Sequence, residues 1–147
     1  MNRPSYVTDS RLYHFIDEAI KEDIGDGDHS TLASVPADLQ QRAHLIIKHD
    51  CILAGVDLAR EIFHYYDKNL KIEILKNDGD QVKEGEIAFI VSGAARSILT
   101  MERLVLNCMQ RMSGIATYTH RMVELLADTN TRILDTRKTA PMFRMCE

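Results

Sequence analysis

Arg137 and Lys138 stand side by side in the run "RILDTRKTAPMFR", residues 132–144, flanked by Thr136 and Thr139. An arginine offers a planar fork of donors matched to a carboxylate or phosphate, and a lysine offers a compact point charge. The two threonine hydroxyls add donors. Arg132, Ile133 and Leu134 read as the start of a strand, and Pro141 forbids further regular pairing. Adjacent strand residues point to opposite faces, so both cations serve one ligand only where the strand ends and the backbone turns. In α/β proteins ligands gather at that end of a strand. The competing reading is a solvated strand end with Arg137 paired to Asp135 or Glu147, the commoner outcome for an arbitrary basic pair.

A second constellation lies on a helix. In "RSILTMERLVLNCMQRMSG" the polar residues Arg103, Asn107 and Gln110 recur at i, i+4 and i+7, while Ile98, Leu99, Val105, Leu106, Met109 and Met112 occupy the other faces. A helix this apolar is expected to be mostly buried. Its polar stripe must then meet either structural partners, such as Glu102, a loop carbonyl or a neighbouring subunit, or a ligand. The structural alternative is the commoner one.

The acidic, glycine-rich "KEDIGDGDHST" invites a calcium reading, but the alternating ligands and closing bidentate Glu of a calcium loop are missing. A tight helix-to-loop turn with Asp28 or Ser30 capping the next segment is favoured, and no metal is assigned to it. "NDGDQVKEGEIAFIV" has the glycine-spaced cadence of a biotinyl or lipoyl carrier half, yet neither Lys76 nor Lys83 sits in a carrier signature. The six histidines are scattered and lack a hydrolytic neighbourhood. Cys51, Cys108 and Cys146 show no metal-ligand spacing and read as reduced thiols, which with the absence of a signal-peptide core points to the cytoplasm.

The elements that must position these groups follow from pattern. "RLYHFIDEAIKED" carries Leu12, Phe15, Ile16, Ala19 and Ile20 at helical spacing, with Ser10 as N-cap and an end by Gly25. "RAHLIIKHDCILAG" reads as a strand, a break at Asp50, and a short strand closed by Gly55. "VDLAREIFHYYD" is helical with Leu58, Ile62 and Tyr66 on one face, and "LKIEILKNDGDQVKEGEIAFIVSG" gives β-rich runs split by turns at Asn77 to Gly79 and at Gly85. The sum is an α+β fold, a small antiparallel sheet with helices on one face. Two helices follow, "RSILTMERLVLNCMQRMSG" capped by Gly114 and "ATYTHRMVELLADT", leading into the strand at Arg132. The 147 residues fit one domain of ordinary soluble composition, and the net charge of -4 argues against nucleic acid as a partner. No apolar run is long enough to span a membrane.

Taken together, "EDIGDGDHST", "GDQVKEGEIAFIVSGAARSILTMERLVLNCMQRMSGIAT" and "ILDTRKTAP", in this order from Glu22 to Pro141, resemble the quinolinate phosphoribosyltransferase family, also called nicotinate-nucleotide pyrophosphorylase (carboxylating). The resemblance implies a reaction of quinolinate with phosphoribosyl pyrophosphate and Mg²⁺ that releases pyrophosphate and CO₂ and leaves nicotinate mononucleotide. It implies that Thr136, Arg137 and Lys138 bind substrate, with Lys138 also catalytic, and that Arg103 reaches the active site of a neighbouring subunit in a homodimer or higher oligomer.

It also implies an N-terminal α/β sandwich domain over residues 1–115, and over 116–147 the start of an α/β barrel, incomplete at its first strand. The family's later "GGG…NHR" segment and its donor and metal ligands then lie beyond Glu147, and residues 1–147 alone are expected to be inactive. Ile133 and Leu134 are expected to bury against the chain's own helices or a second copy. Met142 stands where the family has a Gly after Pro141, although Arg144 matches. The alternatives are a related molybdenum-associated or nicotinate-specific transferase, a carrier-like module, or a dimerisation domain.

Overall fold

A computed structural model describes residues 4–147. Helix α1 spans Asp9–Ile24, and its first turn is capped by Thr8, whose hydroxyl accepts the Arg11 N–H at 3.4 Å, rather than by the expected Ser10. Leu12, Phe15 and Ile16 bury the predicted stripe, with Ala19 and Ile20 at its margin, and Gly25 at φ 54° closes the helix through an N–H to Lys21 O. Asp28 caps the short α2, His29–Ser34, as the turn reading expects.

Strands β1 (Gln40–Ile46), β5 (Ile87–Ala94) and β3 (Lys71–Ile74) pair antiparallel in the order β1-β5-β3. Strand β2 (Cys51–Ile52) pairs with β4 (Gln81–Val82) as a separate two-stranded ribbon. Phe89 and Val91 of the middle strand face the helices, while Ile90 on the other face sits between His44 and Glu73. One face apolar and one face polar is what period-two alternation in an antiparallel sheet produces. The expected small antiparallel sheet with helices on one face is therefore present.

Helix α3, Val56–Tyr66, buries Leu58 and Ile62 as expected, with Ala59 and Phe63 beside them, but Tyr66 is exposed. Gly55 enters this helix at φ 95°, and a Cβ there would lie 3.3 Å from the Met109 backbone and 3.1 Å from the Met112 sulfur. Glycine is what permits both the turn and the close approach. No side chain of α3 caps its own start. Asp78, from the turn after β3, accepts from the Val56 N–H at 2.7 Å and the Asp57 N–H at 3.2 Å.

The two expected helices after Arg96 are one. Helix α4 runs from Ala95 to Leu125 through Gly114, which caps nothing. A mid-helix glycine costs only about 1 kcal/mol against alanine. Contacts on both sides of it hold the helix on: Ser113 Oγ accepts the Ala54 N–H at 2.9 Å and donates to Ala54 O at 3.1 Å, and Thr117 Oγ1 accepts the Ile52 N–H at 2.9 Å. The division expected after residue 115 therefore falls inside a continuous helix. Met101, Leu104, Val105, Cys108 and Met109 of α4 join α1, α3 and the sheet in a single core cluster.

The expected strand at Arg132–Leu134 does not form; residues 131–140 carry no regular structure. Ile133 is 42% and Leu134 85% exposed, so they do not bury against the chain's own helices, the first of the two expected alternatives. A strand's backbone groups need a neighbouring strand, and among the described residues none lies alongside. The following residues turn back: Phe143 packs edge-on to Phe15 at 5.7 Å, and Glu147 pairs with Arg111.

Candidate functional site

The helix α4 stripe is solvent-facing. Arg103, Asn107 and Gln110 are all exposed, which corrects the expectation of a buried polar stripe, because the apolar residues of α4 alone suffice to cover the core. Together with Asp28, Ser30 and Thr100 they line a cleft of about 390 Å³. Arg103 is 67% exposed, but its inner edge is fixed: Nε donates to Asp23 Oδ1 at 2.8 Å and Nη2 to the Asp23 carbonyl at 3.4 Å. The Asp23 hydrogen bond and charge, with a smaller contribution from Asp28, raise the Arg103 pKa, so it is a permanent cation.

Asp28 is itself engaged. Its carboxylate accepts the Thr31 hydroxyl at 2.6 Å, the Thr31 N–H at 3.1 Å and the Thr100 hydroxyl at 3.1 Å, and these bonds hold its pKa below the ordinary 3.8. The acidic glycine-rich run is thus a turn whose carboxylates lean on α4.

The adjacent cations sit elsewhere and differently. Thr136, Arg137 and Lys138 are all exposed. The Lys138 N–H donates to Thr136 Oγ1 at 3.2 Å, and the Thr136 N–H donates to Asp135 Oδ1 at 2.6 Å. Arg144 braces the turn from outside, with Nη2 to Arg137 O at 3.2 Å and Nε to Thr139 Oγ1 at 2.9 Å. Neither Asp135 nor Glu147 pairs with Arg137, contrary to the solvated-pair reading, because Asp135 is taken by the Thr136 backbone and Glu147 by Arg111. Among the described residues the Arg137 and Lys138 side chains hold no hydrogen bond or ion pair.

Thr136 and Lys138 line a cleft of about 1080 Å³ that also includes Arg111, Arg144 and Glu147 but not Arg103. Arg103 instead borders a cleft of about 620 Å³ on its other side, with Asp23, Arg111 and Phe143. The structure brings Thr136 and Lys138 together and leaves Arg103 apart from them. Asp23 had no signal beyond its place in an acidic run, since its contact spans 80 residues.

Other chemistries find little support. Among the described residues no group of three or more His, Cys, Asp or Glu side chains is placed to hold a metal ion. Burial pushes the Cys108 thiol up to about 11 and the Cys146 thiol up to about 12, leaving both protonated and unreactive at neutral pH. Lys76 is held by Glu86 at 2.6 Å instead of standing free at a hairpin tip, which counts against a carrier. No helix among the described residues is long and apolar enough to cross a membrane.

Two family models cover the chain: "Quinolinate phosphoribosyl transferase, N-terminal domain" matches residues 28–113, and its C-terminal domain counterpart matches residues 115–147. A quinolinate phosphoribosyltransferase [decarboxylating] 1b of Nicotiana tabacum is 48% identical over 130 residues, covering 88% of this chain and 37% of that protein. A probable nicotinate-nucleotide pyrophosphorylase [carboxylating] of Bacillus subtilis is 39% identical, covering 93% of this chain and 47% of that one. Among solved structures, the nicotinate-nucleotide pyrophosphorylase of Francisella tularensis superposes with a TM-score of 0.88 at 36% identity, over 99% of this chain and 52% of that chain. The chain thus spans between about a third and a half of the length of these relatives.

Proposed function

Because the chain belongs to the quinolinate phosphoribosyltransferase family, we propose that the whole protein joins quinolinate to phosphoribosyl pyrophosphate, releasing pyrophosphate and CO₂ and leaving nicotinate mononucleotide. The observation that carries this reading is the pair of adjacent, exposed cations at Arg137 and Lys138, whose side chains have no partner among the described residues. Quinolinate is a dianion with carboxylates on neighbouring ring carbons, and converging cations are what binds it. Arg137 supplies a fork to one carboxylate and Thr136 a hydroxyl donor. Lys138 supplies a charge close to the reacting ring and is the catalytic residue of the proposal. The Mg²⁺ of the proposed reaction takes its ligands from outside the described residues.

Arg103 completes the site of a second copy. It shares no cleft with Lys138 in one chain, so a two-fold dimer that places Arg103 of one subunit against Arg137 of the other satisfies both. The domain division near residue 115 and a cytoplasmic location belong to the same proposal; three free thiols favour a reducing compartment, although several plant relatives are chloroplastic or mitochondrial by name.

The test is turnover of quinolinate, phosphoribosyl pyrophosphate and Mg²⁺ by the full-length protein, followed by subunit mixing. Arg103→Ala and Arg137→Ala proteins should each be nearly inactive. Unfolded and refolded together, about half the dimers are mixed, each with one intact site of two, so roughly a quarter of the activity should return. Absence of nicotinate mononucleotide from the unsubstituted protein sinks the reaction. Activity that stays at the level of the separate variants, with dimers confirmed by sizing, sinks the shared site.

A further inference from the structure

Arg103 lies on an exposed helix face, where a long side chain would sample many rotamers and lose that freedom on binding a ligand. Its geometry removes most of that freedom in advance. Of the five N–H donors of a guanidinium, Asp23 takes the one on Nε at 2.8 Å and one on Nη2 at 3.4 Å. Among the described residues the outer Nη1/Nη2 edge remains free, an edge that can pair bidentately with a carboxylate. Asp23 reaches this position from the last turn of α1, and its side chain is only 18% exposed.

One detail is costly for the fold alone. Asp23 Oδ2 is buried and has no hydrogen-bond partner among the described residues, and an acceptor in that state destabilises the folded chain. A salt bridge with one partner buried, moreover, is weak evidence of stabilisation, because desolvating the carboxylate offsets the attraction. The contact is therefore poorly explained as scaffolding.

We propose that Asp23 is a positioning residue, which holds Arg103 by its inner edge so that the outer edge is presented, already oriented, to a carboxylate of quinolinate. This rests on the function proposed above. Asp28 backs the arrangement: Thr100, one turn before Arg103 on α4, donates to its carboxylate, which fixes the α1–α2 turn against the helix. The two carboxylates also weaken the bare field of Arg103. It then acts as an oriented fork, and attraction over distance falls to Arg137 and Lys138.

Steady-state kinetics of the full-length protein decide the matter. Asp23→Ala should raise the quinolinate KM about tenfold with the KM for phosphoribosyl pyrophosphate unchanged, and Asp23→Asn, which keeps an acceptor for Nε, should raise it less. In an Arg103→Ala background, where turnover is nearly gone and quinolinate affinity is read by calorimetry instead, Asp23→Ala should have no further effect, because its only route to the substrate is gone. A quinolinate KM unchanged in both Asp23 variants overturns the proposal, and so does a defect of Asp23→Ala that multiplies with that of Arg103→Ala. Should Asp23→Ala fail to fold, Asp23→Asn and its double variant with Arg103→Ala give the same reading. Failure of the unsubstituted protein to use quinolinate, by contrast, overturns the function and not the role of Asp23 toward Arg103.

Discussion

The two cationic regions of this chain are built in opposite ways. Arg103 projects from a 31-residue helix whose inner side is packed into the core, and a carboxylate fixes its guanidinium. Thr136, Arg137 and Lys138 lie in a stretch without regular structure, their side chains turned to solvent. The difference follows from where each backbone finds its hydrogen bonds. A helix satisfies its own, so α4 is complete once its apolar side has a core to cover. A strand borrows its hydrogen bonds from neighbours, and none stands beside residues 132–138 among those described. The first region is preorganised, and the second is not: no element among the described residues fixes the Arg137 or Lys138 side chain.

The largest effect expected from this contrast is on ligand binding. Arg137→Ala in the full-length protein should weaken quinolinate binding by about 2 to 5 kcal/mol, because a desolvated carboxylate loses its paired cation, and Arg137→Lys should recover little of it. Unchanged KM and kcat in Arg137→Ala would leave the segment a solvated surface turn and break the comparison at its functional end.

A smaller but still large effect is expected where the packed region admits no change. Gly55→Ala forces a side chain at φ 95° against the Met109 backbone at 3.3 Å and the Met112 sulfur at 3.1 Å. Left-handed strain and overpacking together should destabilise the fold by about 3 kcal/mol in urea unfolding. A loss under about 1 kcal/mol would mean that α4 shifts readily and that Arg103 is less fixed than its contacts imply.

The smallest effect is expected in the exposed segment. Met142 is the non-glycine residue at positive φ among those described, 64°, at a position where the family resemblance expects glycine, and it is 67% exposed. Met142→Gly relieves about 1 kcal/mol of left-handed strain, less the added freedom of the unfolded chain, for a net gain of about 0.5 kcal/mol in the same unfolding measurement. A loss of stability instead would show that the Met142 side chain holds the return of Phe143 onto α1.

The sequence alone determined those features in which a residue's neighbours along the chain are also its physical partners. The stripe of α1, the α3 helix with its buried Leu58 and Ile62, the alternation that seats Phe89 and Val91 inward, and the Asp28 cap all depend on spacings of four residues or fewer. The motif order from Glu22 to Pro141 pointed to the family for a related reason: it preserves residue types at fixed separations. Tertiary structure decided what depends on partners far away. Gly114 reads locally as a helix end, yet Ile52 and Ala54, about 60 residues earlier, hold Ser113 and Thr117 and carry the helix through it. Asp78 caps a helix that begins 22 residues before it. Arg103 owes its orientation to Asp23 across 80 residues, while Arg132–Leu134 has the composition of a strand and, among the described residues, no strand beside it. Local pattern sets which conformations cost little, and long-range contacts choose among them whenever the difference is only about 1 kcal/mol.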